Sequence, residues 1–137
     1  MGIQSIPEHE LARLREKAKE ITGSQFDYQS SYTELLSRRL NGEPLQYIEE
    51  YVPFYSIQIN VDQRCLIPRP ETELIVEQVL KLYKNKSKLR ILDIGVGSGC
   101  IILSILKEKK DFFGVGIDKS KKCLDVCNIN AFNLNVN

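Results

Sequence analysis

The residues best suited to chemistry in this chain surround a group of glycines. Three glycines alternate in the segment Asp93-Ile94-Gly95-Val96-Gly97-Ser98-Gly99, which closes a short apolar run. Glycines between a strand and a helix let the backbone turn tightly and let a ligand approach without a Cβ in the way. The next helix offers N–H groups and partial positive charge to an anionic group. The pattern favours a ligand-binding loop over the simpler alternative, a tight turn that binds nothing.

The residues around this loop narrow the choice of ligand. A phosphate-binding P-loop needs Lys and then Ser or Thr directly after its last glycine, where this chain has Cys100 and Ile101. A dinucleotide fingerprint needs its third glycine at position 100. Asp93 is also unfavourable beside a pyrophosphate, whereas a ligand with a positive charge and a ribose would tolerate it. S-adenosylmethionine, which carries a sulfonium, an ammonium and a ribose, meets these conditions.

Asp118 is the second chemical feature, and it lies 23 residues after Gly95. It comes directly after a predicted strand, and a carboxylate there can accept hydrogen bonds from both hydroxyls of a ribose. The structural alternative is that Asp118 caps the next helix, because Asp is a favoured N-cap residue. The two roles are compatible.

The cysteines are the remaining reactive residues, at positions 65, 100, 123 and 127. Cys123 and Cys127 have the i, i+4 spacing that places two thiols on one helix face. A zinc site needs two further ligands, and the sole histidine, His9, is remote. The cysteines are therefore predicted to be small, semi-buried thiols in a reducing compartment, with no metal site.

The composition indicates a globular protein. Apolar residues make up 42% and charged residues 27% of 137 residues, and the formal net charge is +1. The apolar and charged fractions disfavour a disordered chain. The net charge near zero disfavours a surface that binds nucleic acid. No apolar run approaches the roughly 20 residues that span a bilayer, and the first seven residues have no signal-peptide pattern. The expected compartment is the cytoplasm, with neither a membrane nor a nucleic acid as partner.

Two short helices are predicted at the start of the chain. The first begins with a capping box, Ser5 to Glu8, and ends at Gly23; the second begins with the same pattern, Ser31 to Glu34, and ends at Gly42. Neither helix can bury its apolar stripe alone, so both must pack on each other or on later parts of the chain. The predicted stripes contain Leu11, Leu14, Ala18 and Ile21, and then Leu35, Leu36 and Leu40.

The middle of the chain is predicted to be extended and then helical. Residues 54–61 alternate with period two, which indicates a half-buried antiparallel strand with Ile57, Ile59 and Val61 on one face. Pro68 and Pro70 keep the next residues extended, and Pro70 suits the first position of a helix. The predicted apolar face of that helix contains Leu74, Ile75, Val76, Val79, Leu80 and Tyr83.

The last third of the chain has a β-α-β-α pattern. The predicted elements are a strand at residues 89–94, a helix at 100–109, a strand at 113–117 and a helix at 123–133. A strand, a helix and a second strand with this spacing form a parallel, right-handed crossover. The predicted fold class is α/β, with a short helical segment and a β-hairpin before the parallel strands.

These motifs together resemble the HemK/PrmC family of release factor glutamine methyltransferases. The matching segments are residues 38–39, 42–48, 69–74, 91–101, 116–120 and 124–131, in that order along the chain. The resemblance implies S-adenosylmethionine as cofactor and a class-1 peptide chain release factor as partner. Members of the family transfer a methyl group to the glutamine side chain of the Gly-Gly-Gln motif of that factor.

The resemblance also implies site residues and segments. Gly95, Val96, Gly97, Ser98 and Gly99 match the cofactor loop, Asp118 matches the ribose-binding acid, and Pro70, Glu71 and Thr72 match a segment beside the cofactor. Residues 1–48 are then a helical release-factor-binding segment, and residues 49–68 a linking β-hairpin. Residues 69–137 are the N-terminal part of a Rossmann-like, S-adenosylmethionine-dependent methyltransferase domain, with its first two parallel strands.

The family's catalytic motif, Asn-Pro-Pro-Tyr, has no counterpart here, because none of the five prolines follows an asparagine. No catalytic residue is therefore assigned, and the chain is expected to be C-terminally truncated, inactive alone and prone to aggregate through exposed apolar faces. Two other readings stay open. One is a non-catalytic binding module for a release factor or a complementing chain; the other is a different nucleotide-binding Rossmann protein.

Overall fold

A computed structural model describes residues 6–23 and 28–136. Helices come first, then a hairpin, and then alternating helices and strands. The elements are α1 Glu8–Thr22, α2 Tyr28–Leu40, α3 Leu45–Glu49, β1 Tyr51–Phe54, β2 Ile57–Asn60, a 3-10 turn Pro70–Thr72, α4 Glu73–Leu82, β3 Arg90–Ile94, α5 Cys100–Glu108, β4 Phe113–Ile117 and α6 Lys121–Leu134. They form two compact units, Met1–Glu49 and Glu50–Asn137. The chain is thus α/β, and the predicted division into three segments stays a prediction.

The first unit is a helical core. Its buried residues come from all three helices and are Leu14, Ala18, Leu35, Leu45 and Ile48. The first two helices were predicted to pack on each other or on later parts of the chain, and they do both, since each also contacts α3. The α3 helix was not predicted. Ile21 and Leu40 were predicted to face inward, but they are 57% and 55% exposed. Each lies in the last turn of its helix, beyond the reach of this core.

The helix starts differ from the predicted capping boxes. Ser5 lies outside the described residues, and α1 begins at Glu8 after Pro7, which has no side-chain cap. The second predicted box is wrong, because Ser31 to Glu34 lie inside α2, where the Thr33 hydroxyl donates to the carbonyl of Gln29. Both predicted ends are confirmed: α1 ends at Gly23, and Gly42 comes just after α2, each with left-handed backbone.

Arginine–glutamate pairs join the helices of this unit. Arg13 donates through two nitrogens to Glu49, whose carboxylate is almost fully buried. Arg39 donates to Glu10 at 2.7 Å, and this guanidinium is the main reason why the pKa of Glu10 is lower than usual. The second pair connects α1 to α2 through residues that are 29 positions apart in the sequence.

The second unit begins with the predicted β-hairpin. In this hairpin, residues 51–60, β1 and β2 pair antiparallel, with Tyr51 opposite Asn60. Ile57, Ile59 and Val61 are buried, as the alternating pattern predicted. The predicted strand bounds of 54–61 are wrong, because Phe54 ends β1, residues 55–56 form the turn and β2 is Ile57–Asn60. The β2 strand packs against α6, so the hairpin lies beside the helix that comes after the second parallel strand.

The predicted parallel pairing of β3 and β4 is confirmed, with Leu92 opposite Val115. The α5 helix packs on one face of this pair, and α4 packs on α5. Gly114 faces α5 so closely that an added Cβ would lie 2.7 Å from Leu106 Cδ1. The opposite face is uncovered among the described residues, and its large apolar side chains are 42–76% exposed: Leu92, Ile94, Phe113, Val115 and Ile117.

Apolar helix surface is exposed as well, as predicted. Of the six residues predicted for the apolar face of α4, only Val76 is buried, and Leu74 and Ile75 are 58% and 50% exposed. None of the helices within the described ranges is long and apolar enough to cross a membrane.

Candidate functional site

The glycine loop, residues 95–99, connects the end of β3 to the start of α5. Two of its N–H groups, those of Gly95 and Val96, donate to the carbonyl of Ile117 at 2.8 Å and 3.0 Å. Because Ile117 is the last residue of β4, these bonds continue the parallel pairing into the loop. They hold the loop beside Asp118, the residue directly after the strand.

Gly95 and Gly97 leave open space above the loop. Both have left-handed backbone, with φ of +85° and +55°. Residues other than glycine adopt such a backbone only with strain. A Cβ added to Gly95 would meet nothing within 4 Å, and one added to Gly97 would meet only the Gly95 carbonyl oxygen, at 4.0 Å. A ligand could therefore contact the backbone at these two positions.

Gly99 is required for a different reason, since its surroundings are crowded. A Cβ there would lie 2.7 Å from both Leu103 Cδ1 and Cys127 Sγ, so Gly99 allows α5 and α6 to approach the loop. Val96 and Ser98 are buried at 4% and 3% exposure.

Asp118 is fixed by two backbone donors. Its Oδ2 accepts the N–H of Gly97 at 3.0 Å, and its Oδ1 accepts the N–H of Ser120 at 2.8 Å. These two bonds lower the pKa of Asp118, and the bond from Ser120 has the larger effect. The carboxylate therefore stays ionised. A carboxylate has about four acceptor positions, and each oxygen can accept one more donor such as a hydroxyl.

The alternative reading of Asp118 as the helix cap is wrong. The N-cap of α6 is Ser120, whose hydroxyl oxygen accepts the N–H of Cys123 at 3.3 Å. Asp118 instead connects the glycine loop to the turn before α6.

Most N–H groups of the loop are already used within the chain. Besides Gly95 and Val96, Gly97 donates to Asp118, and Gly99 donates to the Val96 carbonyl at 2.8 Å. These four N–H groups are therefore not free to bind an anion, and of the N–H groups at the start of α5 that were predicted to do so, that of Ile102 donates to Asp93. A pyrophosphate held by these four N–H groups is therefore disfavoured.

Asp93 is a candidate site residue that the sequence reading did not assign. Among the described residues nothing donates to its Oδ2, although this atom is buried. Burial raises the pKa of Asp93, and the negative charge of Asp118 raises this pKa further. A hydrogen bond from the backbone N–H of Ile102 lowers it, but the net shift is upward. A buried acceptor without a donor is costly, and the negative charge of Asp93 would favour a cationic ligand bound near the loop. The signal in the sequence was an acid two residues before the first glycine of the loop.

Glu71 and Thr72 lie on the 3-10 turn that precedes α4. Glu71 is exposed and Thr72 is half-buried. No side-chain hydrogen bond among the described residues joins either one to the glycine loop. The structure thus brings Gly97 and Asp118 together, while the roles of Glu71 and Thr72 stay predictions.

The four cysteines are free thiols, of which Cys65 is buried and the others are half-buried. Burial raises the pKa of Cys65 and Cys127, and it raises that of Cys100 to about 11. These three thiols stay protonated near neutral pH, which makes them poor nucleophiles. Within residues 6–23 and 28–136, no group of three or more His, Cys, Asp or Glu residues is placed to hold a metal ion.

The fold and site define an α/β protein with a glycine loop and an ionised carboxylate at the carboxyl end of a parallel strand pair. Residues 73–136 match the family model described as "Methionine biosynthesis protein MetW". Three curated relatives are each named "Release factor glutamine methyltransferase". The one from Thermodesulfovibrio yellowstonii is 54% identical over 66% of this chain and 33% of the relative. Those from Caulobacter vibrioides and Coxiella burnetii are 40% and 41% identical over 87% and 82% of this chain.

The chain belongs to the release factor glutamine methyltransferase family. It spans two fifths or less of the length of these three relatives, from 33% to 40%.

Proposed function

We propose that this chain binds S-adenosylmethionine at the glycine loop and forms the cofactor-binding part of a Rossmann-like methyltransferase. The proposed substrate is the Gly-Gly-Gln glutamine of a class-1 peptide chain release factor in the cytoplasm. The observation that carries the proposal is the ionised Asp118 carboxylate, bound to the Gly97 N–H beside the open backbone of Gly95.

The residues present suit this cofactor chemically. Asp118 would accept hydrogen bonds from the ribose hydroxyls, and Gly95 and Gly97 would allow the cofactor to approach the backbone. Asp93, with its unsatisfied oxygen, supplies negative charge that favours a cationic ligand over a pyrophosphate. Glu71 and Thr72 are proposed to lie against the cofactor side of the site. The cofactor itself would supply the methyl group.

The methyl-transfer step needs residues that this sequence does not offer. An amide nitrogen is a poor nucleophile, because its lone pair is delocalised into the carbonyl. The family's Asn-Pro-Pro-Tyr motif accepts the amide hydrogens and aims the nitrogen at the methyl group, which is catalysis by positioning. Since no proline here follows an asparagine, we propose that the 137-residue chain alone transfers no methyl group. Residues 1–48 are proposed to contact the release factor.

A methylation assay with a complementing polypeptide tests the proposal. The purified chain is incubated with a class-1 release factor and S-adenosylmethionine carrying a tritiated methyl group. A parallel reaction also contains the part of the Caulobacter vibrioides relative that this chain does not match, and the intact relative is the positive control. We expect labelled release factor only in the control and in the complemented reaction. Label with the chain alone, or none on complementation while both polypeptides stay folded, would contradict the proposal.

A second candidate function, a non-catalytic binding module, is favoured by the open face of β3 and β4. Its apolar side chains, up to 76% exposed at Ile94, are numerous enough to receive another polypeptide. Size-exclusion chromatography at tens of micromolar separates the candidates. If the chain forms a complex with the release factor but gives no methylation on complementation, the binding-module function is supported. If the chain forms no complex, the binding-module function is contradicted.

A further inference from the structure

Asn130 differs from the other asparagines of α6 in its surroundings. It is fully buried, at 0% exposure, whereas Asn128 and Asn133 of the same helix are exposed. Asn130 and Val126 are the two buried residues of α6 and are separated by about one helical turn. The amide of Asn130 is therefore placed in the interior of the second unit, and an amide buried there must be hydrogen-bonded.

Three hydrogen bonds satisfy the Asn130 side chain and connect two distant segments. Its Oδ1 accepts the N–H of Asn60 at 2.8 Å, and its Nδ2 donates to the Asn60 carbonyl at 3.0 Å. The same Nδ2 donates to the carbonyl of Ser98 at 2.9 Å. Asn60 is the last residue of β2, and Ser98 belongs to the glycine loop. The Asn130 side chain thus connects the hairpin, residues 51–60, to the loop through hydrogen bonds.

The bond to Ser98 fixes one particular peptide plane. The Ser98 carbonyl and the Gly99 N–H belong to the same planar peptide unit. Asn130 holds the carbonyl end, while the N–H end donates to Val96 at 2.8 Å. Because both ends are held, rotation of this plane is restricted, and this restriction maintains the left-handed φ of Gly99.

We propose that Asn130 is a positioning residue that sets the ligand-ready conformation of the glycine loop and couples the loop to the hairpin. The inference rests on the proposed function only in taking the loop as the ligand site. Without Asn130 the Ser98 carbonyl would be buried without this donor, and the Ser98–Gly99 peptide could turn. The hairpin would then no longer respond to a ligand at the loop.

The test compares Asn130→Ala with Asn133→Ala in the full chain. Asn133 is a matched control, because its side chain also bonds to the Asn60 side chain, at 3.1 Å, but within the described residues it has no hydrogen bond to the loop. In two-dimensional amide NMR, we expect Asn130→Ala to shift the signals of Gly97 and Gly99 and Asn133→Ala to leave them in place. S-adenosylhomocysteine should bind Asn130→Ala at least about tenfold more weakly, a loss of roughly 1.4 kcal/mol. Its affinity for Asn133→Ala should change less than about twofold.

Hydrogen exchange of the unmodified chain tests the coupling even if Asn130→Ala fails to fold. The amides of Asn60 and Gly99 should exchange with similar opening free energies, because they belong to one hydrogen-bonded unit. Exchange that differs more than about a hundredfold between them, or unchanged glycine signals in a folded Asn130→Ala, would overturn the inference. If the unmodified chain does not bind S-adenosylhomocysteine, the proposed function fails, while the glycine signals and the exchange rates still decide the role of Asn130.

Discussion

The two faces of the β3–β4 pair differ in side-chain size and in cover. On the face toward α5 and the loop, Gly114 and Gly116 allow Ile102, Leu106 and Val96 to pack within contact distance. On the other face every β4 residue is large and at least 42% exposed. The same two strands thus position the candidate site on one face and leave an apolar surface on the other. The loop therefore lies on the face where the small residues Gly114 and Gly116 allow close packing, and not on the face with the larger apolar area.

The largest effect is expected from Gly97→Arg, which fills the open side of the loop. The residue would have to keep a φ of +55°, and its side chain would occupy the space proposed for the ligand. Binding of S-adenosylhomocysteine should become undetectable, while the far-ultraviolet circular dichroism stays unchanged. Gly42→Arg is the control, since Gly42 has a φ of +89° and equally open surroundings in the helical unit. Equal losses in both variants would show that charge or strain, not the loop, is responsible.

Neighbouring residues of β4 allow the comparison of faces to be tested directly. In Gly114→Val, the added Cβ would lie 2.7 Å from Leu106 and 2.8 Å from Ile102. Such overpacking should lower the free energy of unfolding by about 1–3 kcal/mol in urea titrations. Val115→Thr, on the open face, should change it by less than about 0.5 kcal/mol. The account of the two faces is wrong if the two variants are destabilised equally.

Asp118→Ala should weaken cofactor binding without abolishing it. The variant loses the proposed ribose contact and the acceptor that orients the Gly97 N–H. Loss of charge-assisted hydrogen bonds predicts an affinity lower by about ten- to a hundredfold, measured by calorimetry. Asp111→Ala is a suitable control, because the Asp111 carboxylate accepts a hydrogen bond from the backbone N–H of Lys88, at the opposite end of the strands. An Asp118→Ala variant that binds as tightly as the unmodified chain would remove Asp118 from the site.

A polar residue on the open face should change solubility more than stability. Ile94→Ser replaces the most exposed side chain of this face, so the free energy of unfolding should change by less than about 0.5 kcal/mol. The concentration at which light scattering detects aggregates should rise. A cooperative melt of the unmodified chain as a stable monomer at high concentration would count against the predicted tendency to aggregate.

The smallest effect is expected at low pH in the helical unit. Arg39 lowers the folded-state pKa of Glu10 below its ordinary value of 4.5, so this pair contributes stability that is present above about pH 4.5. The contribution is lost as the pH falls through the lower folded-state pKa. Arg39→Gln should therefore flatten the pH dependence of the melting temperature below pH 4.5, whereas Lys19→Gln should not. Identical profiles would exclude a role for the Arg39–Glu10 pair.

Local patterns predicted the elements that position the site. The bounds of β4 and the start of α5 agree with the predictions, because glycines and apolar runs mark them directly. The cap of α6 and the start of α2 were wrong, since several polar residues compete to begin a helix and packing decides among them. The special role of Asn130 was not predictable, because burial distinguishes it from other asparagines that look identical in sequence. The unsatisfied oxygen of Asp93 likewise appears only when α5 packs over it.

Calorimetric titration of the full chain with S-adenosylhomocysteine, and separately with NAD, tests the central claim most directly. The account predicts saturable binding of S-adenosylhomocysteine with about one site per chain and no binding of NAD at the same concentrations. The physical reason is that four loop N–H groups are already used, while two carboxylates remain beside the loop. Binding of NAD without binding of S-adenosylhomocysteine would contradict the account, and binding of neither would remove the loop as a cofactor site.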